Sequence, residues 1–490
     1  MYATLLARSL IFLMMSGGPV FAAGSSRPNI VIMVADDLGY GDLACFGHPE
    51  IRTPHLDRLA AEGLKLTHCY AGAANCSPAR TALMTGRTPY RVGVYNAIPF
   101  LSPMHLRTRE TTGATLLQKS GYATAQVGKW HLNGNFNLPG QPQPNDHGFE
   151  HWFAVQNNAL PNHRNPYNFV RNGIPLGPIP GYSAAIVADE AVAWLERQRD
   201  RAKPFFLYVA FNEPHEPVAT DPKHEALYRK RHPDDPSRVA YYGNVTQMDE
   251  AVGRIMHTLD AQGVAGNTLV WFTSDNGPAR TRWHNAGSSG GFREFKGHLY
   301  EGGIRVPGIA RWPGKIQAGS TSTEPVSGVD MLPTLCQIAD VAQPADRILD
   351  GASMLPVFTG GRMNRSKPLY WQAYWSGSRP QVAIRDGDWK LLAAMSAGRP
   401  ASPPNLTEAV MKAIKQPGLT GFELYNLADD PGETKDLAAS QPERMAAMQR
   451  VLESMHESVR QESPIWPHFE DPRYEQLRIE WPEYVAKPLK

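Results

Sequence analysis

The chain has few cysteines, no run of Lys and Arg long enough to mark a nucleic-acid or membrane face, and no apolar run long enough to anchor it in a bilayer. Four cysteines in 490 residues exclude a fold held together by a framework of disulfides. At most one bridge can form between Cys45, Cys69 and Cys336 if the fourth cysteine has another role. A formal net charge of +2 argues against a nucleic-acid partner. Recognition of an anion must therefore depend on a local site.

The composition is that of a globular enzyme, with 42% hydrophobic and 20% charged residues. A chain of 490 residues is long enough for one large domain and a smaller one. The first 22 residues have the features of a secretory signal: Arg8, a short apolar run over 10–15, and small residues before a cleavage point. We therefore expect a mature chain beginning near residue 23 and exported to a periplasm or beyond, without a stable membrane anchor.

Residues 76–80, with the sequence CSPAR, place a thiol, a proline and a guanidinium within one helical turn. Pro78 is tolerated in the first turn of a helix and Ser77 can cap it, so Cys76 is predicted just before a helix that ends at Gly86. Anions are favoured at such a helix start, and Arg80 can reach back toward Cys76. The same pattern also describes an ordinary buried cysteine.

Four runs are predicted to be strands, at residues 29–35, 122–127, 204–210 and 268–274. The first is apolar and β-branched, as in a buried central strand of a sheet covered on both faces. Asp36 and Asp37 follow the first run, and Asp275 and Asn276 follow the fourth. Because ligands collect at the carboxyl ends of strands, these oxygen donors indicate a site for a hard cation. Calcium suits them better than zinc, which prefers His and Cys. Each pair taken alone is also a common turn signal.

Basic side chains follow the other two runs. Lys129 and His131 are two residues apart, so on an extended segment they would project to the same side. His215 follows the third run, where Glu213 and Glu216 are predicted to be loop charges, and Lys296 lies in a later glycine-rich segment. These residues predict a cationic pocket beside the metal site.

In their order along the chain, these segments resemble the formylglycine-dependent type I sulfatases of the alkaline phosphatase superfamily. The resemblance rests on LGYGD at 38–42, CSPAR at 76–80, GKWH at 128–131, DNG at 275–277 and YEGGIRVP at 300–307. It covers nearly all of the mature chain. Asn133 stands where the family often has glycine, which puts only the shape of that loop in doubt.

The resemblance implies an α/β fold with a large mixed, mostly parallel sheet flanked by helices, and a smaller C-terminal antiparallel sheet carrying one helix. We expect a catalytic domain over residues 23–365 and a C-terminal subdomain over residues 366–490. Residues 139–180, rich in Pro, Asn and His, are predicted to form a long irregular loop. By analogy with the family, Asn157 or Asn158 would lie near the sulfate.

The resemblance also implies the chemistry. In this family a maturation enzyme oxidises the motif cysteine to formylglycine (3-oxoalanine), and a hydroxyl of its hydrate attacks the sulfur of a sulfate ester. The implied calcium ligands are Asp36, Asp37, the modified Cys76, Asp275 and Asn276. The implied catalytic residues are Cys76, Arg80, Lys129, His131, His215 and Lys296, with His215 protonating the leaving alcohol and His131 acting as the later base.

Export and the long polar, aromatic loops favour sulfated carbohydrate as the substrate. Small aryl sulfates are the alternative, as are phosphonates or phosphodiesters, which other members of the superfamily hydrolyse. A sulfatase-like binding protein without activity is the non-enzymatic alternative, although none of the motif residues is missing.

Overall fold

A computed structural model of the chain describes residues 27–281, 284–399 and 405–470. The predicted signal peptide, residues 1–22, lies outside these residues, as do parts of the predicted C-terminal subdomain. Within the described ranges, no helix combines the length and apolar character needed to cross a membrane.

The strands are short. In chain order they are β1 (Asn29–Ala35), β2 (Leu64–Leu66), β3 (Cys69–Tyr70), β4 (Ala123–Lys129), β5 (His151–Val155), β6 (Val170–Arg171), β7 (Ile174–Pro175), β8 (Phe205–Ala210), β9 (Thr268–Ser274), β10 (Gly308–Arg311), β11 (Ser320–Ser322), β12 (Val326–Ser327), β13 (Leu369–Gln372), β14 (Val382–Asp386), β15 (Trp389–Met395) and β16 (Leu419–Asn426).

The helices alternate with these strands. They are α1 (Pro54–Ala61), α2 (Cys76–Thr85), α3 (Pro89–Val92), α4 (Gly113–Lys119), α5 (Ser183–Ala193), which continues as a π-helix over Trp194–Gln198, α6 (Pro222–Arg229), α7 (Pro236–Ala261), α8 (Glu301–Ile304), α9 (Met331–Ala339), α10 (Leu355–Phe358), α11 (Glu408–Ile414) and α12 (Pro442–Glu462).

The larger sheet of the described chain has ten strands in the order β11-β2-β10-β9-β1-β8-β4-β5-β6-β7. Its central strands β9, β1, β8, β4 and β5 are all parallel, whereas β10 pairs antiparallel with β9. Alternate residues of β1 enter two different cores: Ile30, Ile32 and Val34 pack on one face of the sheet. The intervening Val31, Met33 and Ala35 pack on the other. The predicted mixed, mostly parallel sheet with helices on both faces is confirmed.

A second, antiparallel sheet follows, with the order β13-β14-β15-β16. Helix α12 packs on it through Met448, Leu452 and Val459, which belong to the same apolar core as Ile384 and Leu391 of β14 and β15. The predicted small C-terminal sheet with one helix is also confirmed.

One expectation about the chain path is wrong. Residues 139–180 do not form an irregular loop throughout, because residues His151–Val155 are buried and pair in parallel with β4 as β5, followed by β6 and β7. Residues 64–70 contain two strands, of which β2 joins the large sheet and β3 pairs with β12. Cys45, Cys69, Cys76 and Cys336 are all unpaired in the described chain.

Candidate active site

The order β9-β1-β8-β4 brings the predicted site residues together. These four strands are adjacent and parallel, so their carboxyl ends meet at one edge of the sheet. Asp275 follows β9, Asp36 follows β1, Asn212 lies two residues beyond β8, and Lys129 is the last residue of β4. Segments far apart in sequence therefore deliver polar side chains to a common place.

Helix α2 brings Cys76 to this edge. The helix begins at Cys76 itself rather than after it, and the extended residue Asn75 precedes it. Ser77 does not cap the helix, because its Oγ accepts a hydrogen bond from the Ile98 N–H at 3.1 Å. The helix ends at Gly86, whose φ of +67° is the expected left-handed stop. Burial raises the pKa of the Cys76 thiol to about 11, so an unmodified Cys76 is a neutral thiol and a poor nucleophile near pH 7.

A cluster of oxygen, nitrogen and sulfur ligand atoms surrounds Cys76. One such atom from each of Asp36, Asp37, Cys76 and His215 lies within 4.8 Å of the others. Asp36 Oδ1 and Asn276 Oδ1 are buried and have no hydrogen-bond partner among the described residues. Asn276 Nδ2 donates to Asp37 Oδ1 at 2.7 Å, which places the amide beside the carboxylates. Unpartnered carboxylate and amide oxygens suit a hard cation such as Ca²⁺.

Asp275 lies beside this cluster with both oxygens engaged. Its Oδ2 accepts hydrogen bonds from Arg80 Nε at 3.1 Å and Arg80 Nη2 at 2.7 Å. Its Oδ1 accepts from the Asp37 N–H at 3.2 Å. The Arg80 side chain thus pairs with Asp275, and its Nη2 also lies 3.7 Å from Asp36 Oδ1.

Two lysines neutralise the carboxylates. Lys129 is fully buried, with its Nζ 2.6 Å from Asp36 Oδ2. Lys296 Nζ lies 2.7 Å from Asp37 Oδ1 and 2.8 Å from Oδ2. Although burial opposes ionisation of Asp37, Lys296 and His215 hold the pKa of its carboxyl below the usual value. The site is therefore rich in charge of both signs, with little access to water.

His131 does not lie on an extended segment. Its φ is +55°, so the chain turns sharply after β4, and the strand geometry expected for Lys129 and His131 is wrong. The His131 Nε2–H donates to the Ile98 carbonyl at 3.1 Å, and its buried Nδ1 has no hydrogen-bond partner in the described part of the chain. Burial, and then the charges of Lys129 and Arg80, hold the pKa of His131 well below its usual value. The ring is neutral, with a free lone pair.

His215 lies against Asp37. Its Nδ1–H donates to the Glu216 carbonyl at 2.5 Å, which leaves Nε2 at 3.6 Å from Asp37 Oδ2. Burial lowers the pKa of His215 to about 4, an effect that the Asp37 carboxylate opposes. The ring is therefore oriented with Nε2 toward the carboxylate cluster.

Glu213 and Glu216 lie in the loop after β8, as expected, but Glu213 is buried and has a structural role. Glu213 is fully buried and accepts hydrogen bonds from the Ser183 hydroxyl and from the Ala184 N–H at 2.7 Å, so it caps the start of α5. Glu216 Oε2 lies 3.9 Å from His215 Nδ1 and 3.8 Å from His284 Nε2. Their position in the loop that follows β8 was the signal that both belong to the site edge.

Asp42 has a structural role that the sequence analysis did not predict. Its carboxylate accepts hydrogen bonds from the Gly39 N–H at 2.7 Å, the Tyr241 hydroxyl at 2.7 Å and the Ser288 N–H at 2.8 Å. It therefore ties the loop after β1 to residues near 288. The sequence LGYGD carried the signal, since an Asp three residues after a glycine can accept from that glycine's N–H.

Asn157 and Asn158 follow β5, at the same edge of the sheet as Lys129. The Asn157 carbonyl accepts from Asn212 Nδ2 at 3.2 Å, which links the ends of β5 and β8. The side-chain oxygens of both asparagines are buried without a hydrogen-bond partner in the described ranges.

The chain is similar to known proteins over most of its length. A family model described as "Sulfatase" matches residues 28–341, and one described as "N-sulphoglucosamine sulphohydrolase, C-terminal" matches residues 290–398. Human arylsulfatase A is 34% identical over 474 residues, covering 91% of this chain and 90% of that protein. N-acetylgalactosamine-6-sulfatase from dog is 33% identical over 479 residues, covering 90% and 88%.

Solved structures show the same architecture. The crystal structure of Ps i-CgsB in complex with k-i-k-neocarrahexaose has a TM-score of 0.77 and 26% identity, and covers 94% of this chain and 98% of that one. The PsFucS1 sulfatase from Pseudoalteromonas sp. has a TM-score of 0.71 and 25% identity, covering 90% and 92%. The similarity includes the C-terminal sheet as well as the large one.

Proposed function

The chain belongs to the sulfatase family and is a sulfuric ester hydrolase, and we propose that it desulfates carbohydrate with a formylglycine made from Cys76 and one bound Ca²⁺. The observation that carries this proposal is the position of buried Cys76 within 4.8 Å of ligand atoms of Asp36, Asp37 and His215. A maturation enzyme of the host would modify Cys76, and residues 1–22 would direct export to the periplasm or the medium.

Asp36, Asp37 and Asn276 are the residues that would hold Ca²⁺, together with the modified Cys76 and with Asp275 beside them. Asp36 Oδ1 and Asn276 Oδ1, which accept no hydrogen bond from the described residues, support this assignment. A bound Ca²⁺ would supply positive charge to the sulfate oxygens. Lys129 and Lys296 already contact Asp36 and Asp37, so these ammonium groups and a bound cation would share the acidic pair.

The cationic side chains would bind the sulfate. Arg80, Lys129 and Lys296 lie around the carboxylate cluster, and their charges would offset the negative charge that develops on the sulfuryl oxygens. The hydrated aldehyde of a modified Cys76 would supply the hydroxyl nucleophile, which the neutral thiol cannot replace. Position 76 would therefore decide whether the site is active.

Two histidines would move protons. His215 presents Nε2 toward the cluster, and a bound sulfate would favour its protonated form, which can donate to the departing alcohol. His131 keeps its Nε2–H on the Ile98 carbonyl, so its free Nδ1 is an acceptor suited to the base. We propose these roles, with Asn157 or Asn158 as a further polar contact.

Two observations support carbohydrate as the substrate. The relative from dog is named for a 6-sulfated N-acetylgalactosamine, and Ps i-CgsB was crystallised with a neocarrahexaose. Arylsulfatase A is equally similar in sequence, so small aryl sulfates are the second candidate. We also keep the division into a catalytic domain over 23–365 and a C-terminal subdomain over 366–490 as a proposal.

The test combines chemistry at position 76 with a substrate panel. Protein from its own host is digested, and the peptide across Cys76 is weighed to detect replacement of the thiol by an aldehyde. The same preparation is assayed on sulfated sugars, an aryl sulfate, a phosphodiester and a phosphonate, with Cys76→Ala as the inactive control. Turnover of the aryl sulfate alone would contradict the carbohydrate proposal. Equal or faster turnover of the phosphorus esters, or full activity of Cys76→Ala, would contradict the mechanism.

A further inference from the structure

The segment that carries Lys296 is fastened at both ends to the C-terminal sheet region. This lysine segment, residues 293–302, is closed by a hydrogen bond from the Gly302 N–H to the Arg293 carbonyl at 2.8 Å. Arg293 Nη1 donates to the Glu433 carbonyl at 2.9 Å. At the other end, the Glu301 N–H donates to Glu433 Oε2 at 2.6 Å. A single residue, Glu433, which follows β16 in the chain, therefore holds both the start and the end of the segment.

Glu433 is itself held in place. It is fully buried and has a φ of +53°, a conformation that costs a residue other than glycine some free energy. Its Oε1 lies 2.8 Å from the Nζ of Lys390 on β15. A surface loop residue without a structural task would relax to an ordinary backbone conformation.

Lys390 joins Glu433 to the lysine segment. It is fully buried, and its Nζ also lies 2.9 Å from Glu301 Oε1. Glu301 Oε2 accepts from the Tyr70 hydroxyl at 2.6 Å and lies 3.3 Å from Arg305 Nη1. A buried charge network of this kind adds little net stability over well-packed apolar side chains, although removing one partner is costly. Its effect is to fix the geometry of the groups it connects.

The lysine segment also contacts the loop that precedes Cys76 and α2. The Gly297 N–H donates to the Ala74 carbonyl at 2.9 Å, two residues before Cys76. The Gly297 carbonyl accepts from the N–H of Gly377, between β13 and β14, also at 2.9 Å. The backbone next to Lys296 is therefore hydrogen-bonded both to the C-terminal sheet region and to the loop before Cys76, and from there Lys296 contacts Asp37.

We propose that Glu433 and Lys390 are positioning residues that set where the Lys296 ammonium meets the bound sulfate. The proposal rests on the proposed role of Lys296 as a sulfate contact. On this account the C-terminal sheet acts on the chemistry by holding the lysine segment in place.

The test is a double-mutant cycle on kcat and KM for a sulfate ester. The variant pair Glu433→Gln with Lys390→Met removes one charge of each sign, and is measured in the natural background and with Lys296→Ala. We expect about a tenfold or larger loss of kcat/KM in the natural background and less than a twofold further loss with Lys296→Ala, because both changes remove the same interaction. Should the paired variant not fold, Glu433→Gln alone is carried through the same cycle.

The matched control is Glu462→Gln. Glu462 is the last residue of α12 and pairs with Arg87 and Arg91, and Arg91 Nη1 lies 2.7 Å from Glu462 Oε1. These ion pairs also join the C-terminal region to the rest of the chain, but they do not involve the lysine segment. It should lower Tm while leaving kcat/KM within twofold. Equal fractional losses in the two Lys296 backgrounds, or no loss in the natural one, would overturn the positioning proposal alone. Full activity of Lys296→Ala would instead contradict the proposed function, and the positioning proposal with it.

Discussion

Arg80 donates two hydrogen bonds to one carboxylate oxygen of Asp275, 195 positions further along the chain. The pair joins the first turns of α2 to the carboxyl end of β9, and both side chains are almost fully buried. Because a buried arginine needs a partner, this contact orients the guanidinium toward Asp36 and the proposed sulfate site.

Replacing Arg80 with Met should destabilise the protein by roughly 3–5 kcal/mol, because it leaves the Asp275 carboxylate buried with its main partner removed. Activity should fall at least about 100-fold, since one proposed sulfate contact disappears with the charge. Urea unfolding and steady-state kinetics measure the two effects. Arg58→Met is the control: Arg58 forms an exposed ion pair with Glu62, so its loss should cost at most about 1 kcal/mol. Similar unfolding midpoints for both variants would contradict the expectation.

Calcium should stabilise the protein and be required for activity. At 100 times the dissociation constant, binding to the folded state alone adds about 2.7 kcal/mol, which a thermal melt with and without a chelator detects. Asn276→Ala removes an unpartnered buried oxygen, so it should weaken the calcium-dependent rise in Tm. The exposed Asn145→Ala should leave that rise unchanged. A Tm insensitive to calcium in the unaltered protein would rule out the proposed site.

Gly128 should tolerate no side chain. Its φ is +103°, and a Cβ there would lie 1.9 Å from the Ala210 carbonyl oxygen on the neighbouring strand β8. Gly128→Ala should therefore cost roughly 2–5 kcal/mol from backbone strain and displacement of β8, and should disturb the adjacent Lys129. Gly387 has a φ of +57° with open space around it, so Gly387→Ala should cost only about 1–2 kcal/mol. Urea unfolding should separate the two; equal losses would show that the close approach does not matter.

Acid should destabilise the protein through His147. Its Nε2–H donates to the Leu106 carbonyl at 3.1 Å, and burial lowers the pKa of the ring from 6.5 to about 4. Between those values the unfolded chain binds a proton that the folded one does not, so stability falls as the pH drops from 6.5 to 4, by up to about 3 kcal/mol. His147→Gln should flatten this part of the stability profile, whereas the exposed His468→Gln should not. Parallel profiles for the unaltered protein and His147→Gln would contradict this assignment.

The elements that carry the site were predictable because their signals are local. Strands β1, β4, β8 and β9 are buried on both faces. The runs of β1, β8 and β9 show in the sequence as mainly apolar stretches, whereas Thr124 and Gln126 interrupt that of β4. The end of α2 was also predictable locally, because Gly86 can adopt the left-handed conformation that ends a helix. Strand β5 escaped prediction because its five residues are surrounded by turn-forming residues, and it is stabilised by pairing with β4 rather than by its own pattern.

The sequence by itself therefore determined that β1, β4, β8 and β9 are strands and which polar residues follow them, because strand and turn formation there depend on neighbouring residues. Only the tertiary structure decided which charged side chains form ion pairs: Arg80 with Asp275, Lys129 with Asp36, and Lys390 with both Glu301 and Glu433. It also decided that Glu213 is buried and that His131 leaves the strand with a positive φ. Strand order and the pairing of buried charges depend on packing between distant segments, which no local pattern encodes.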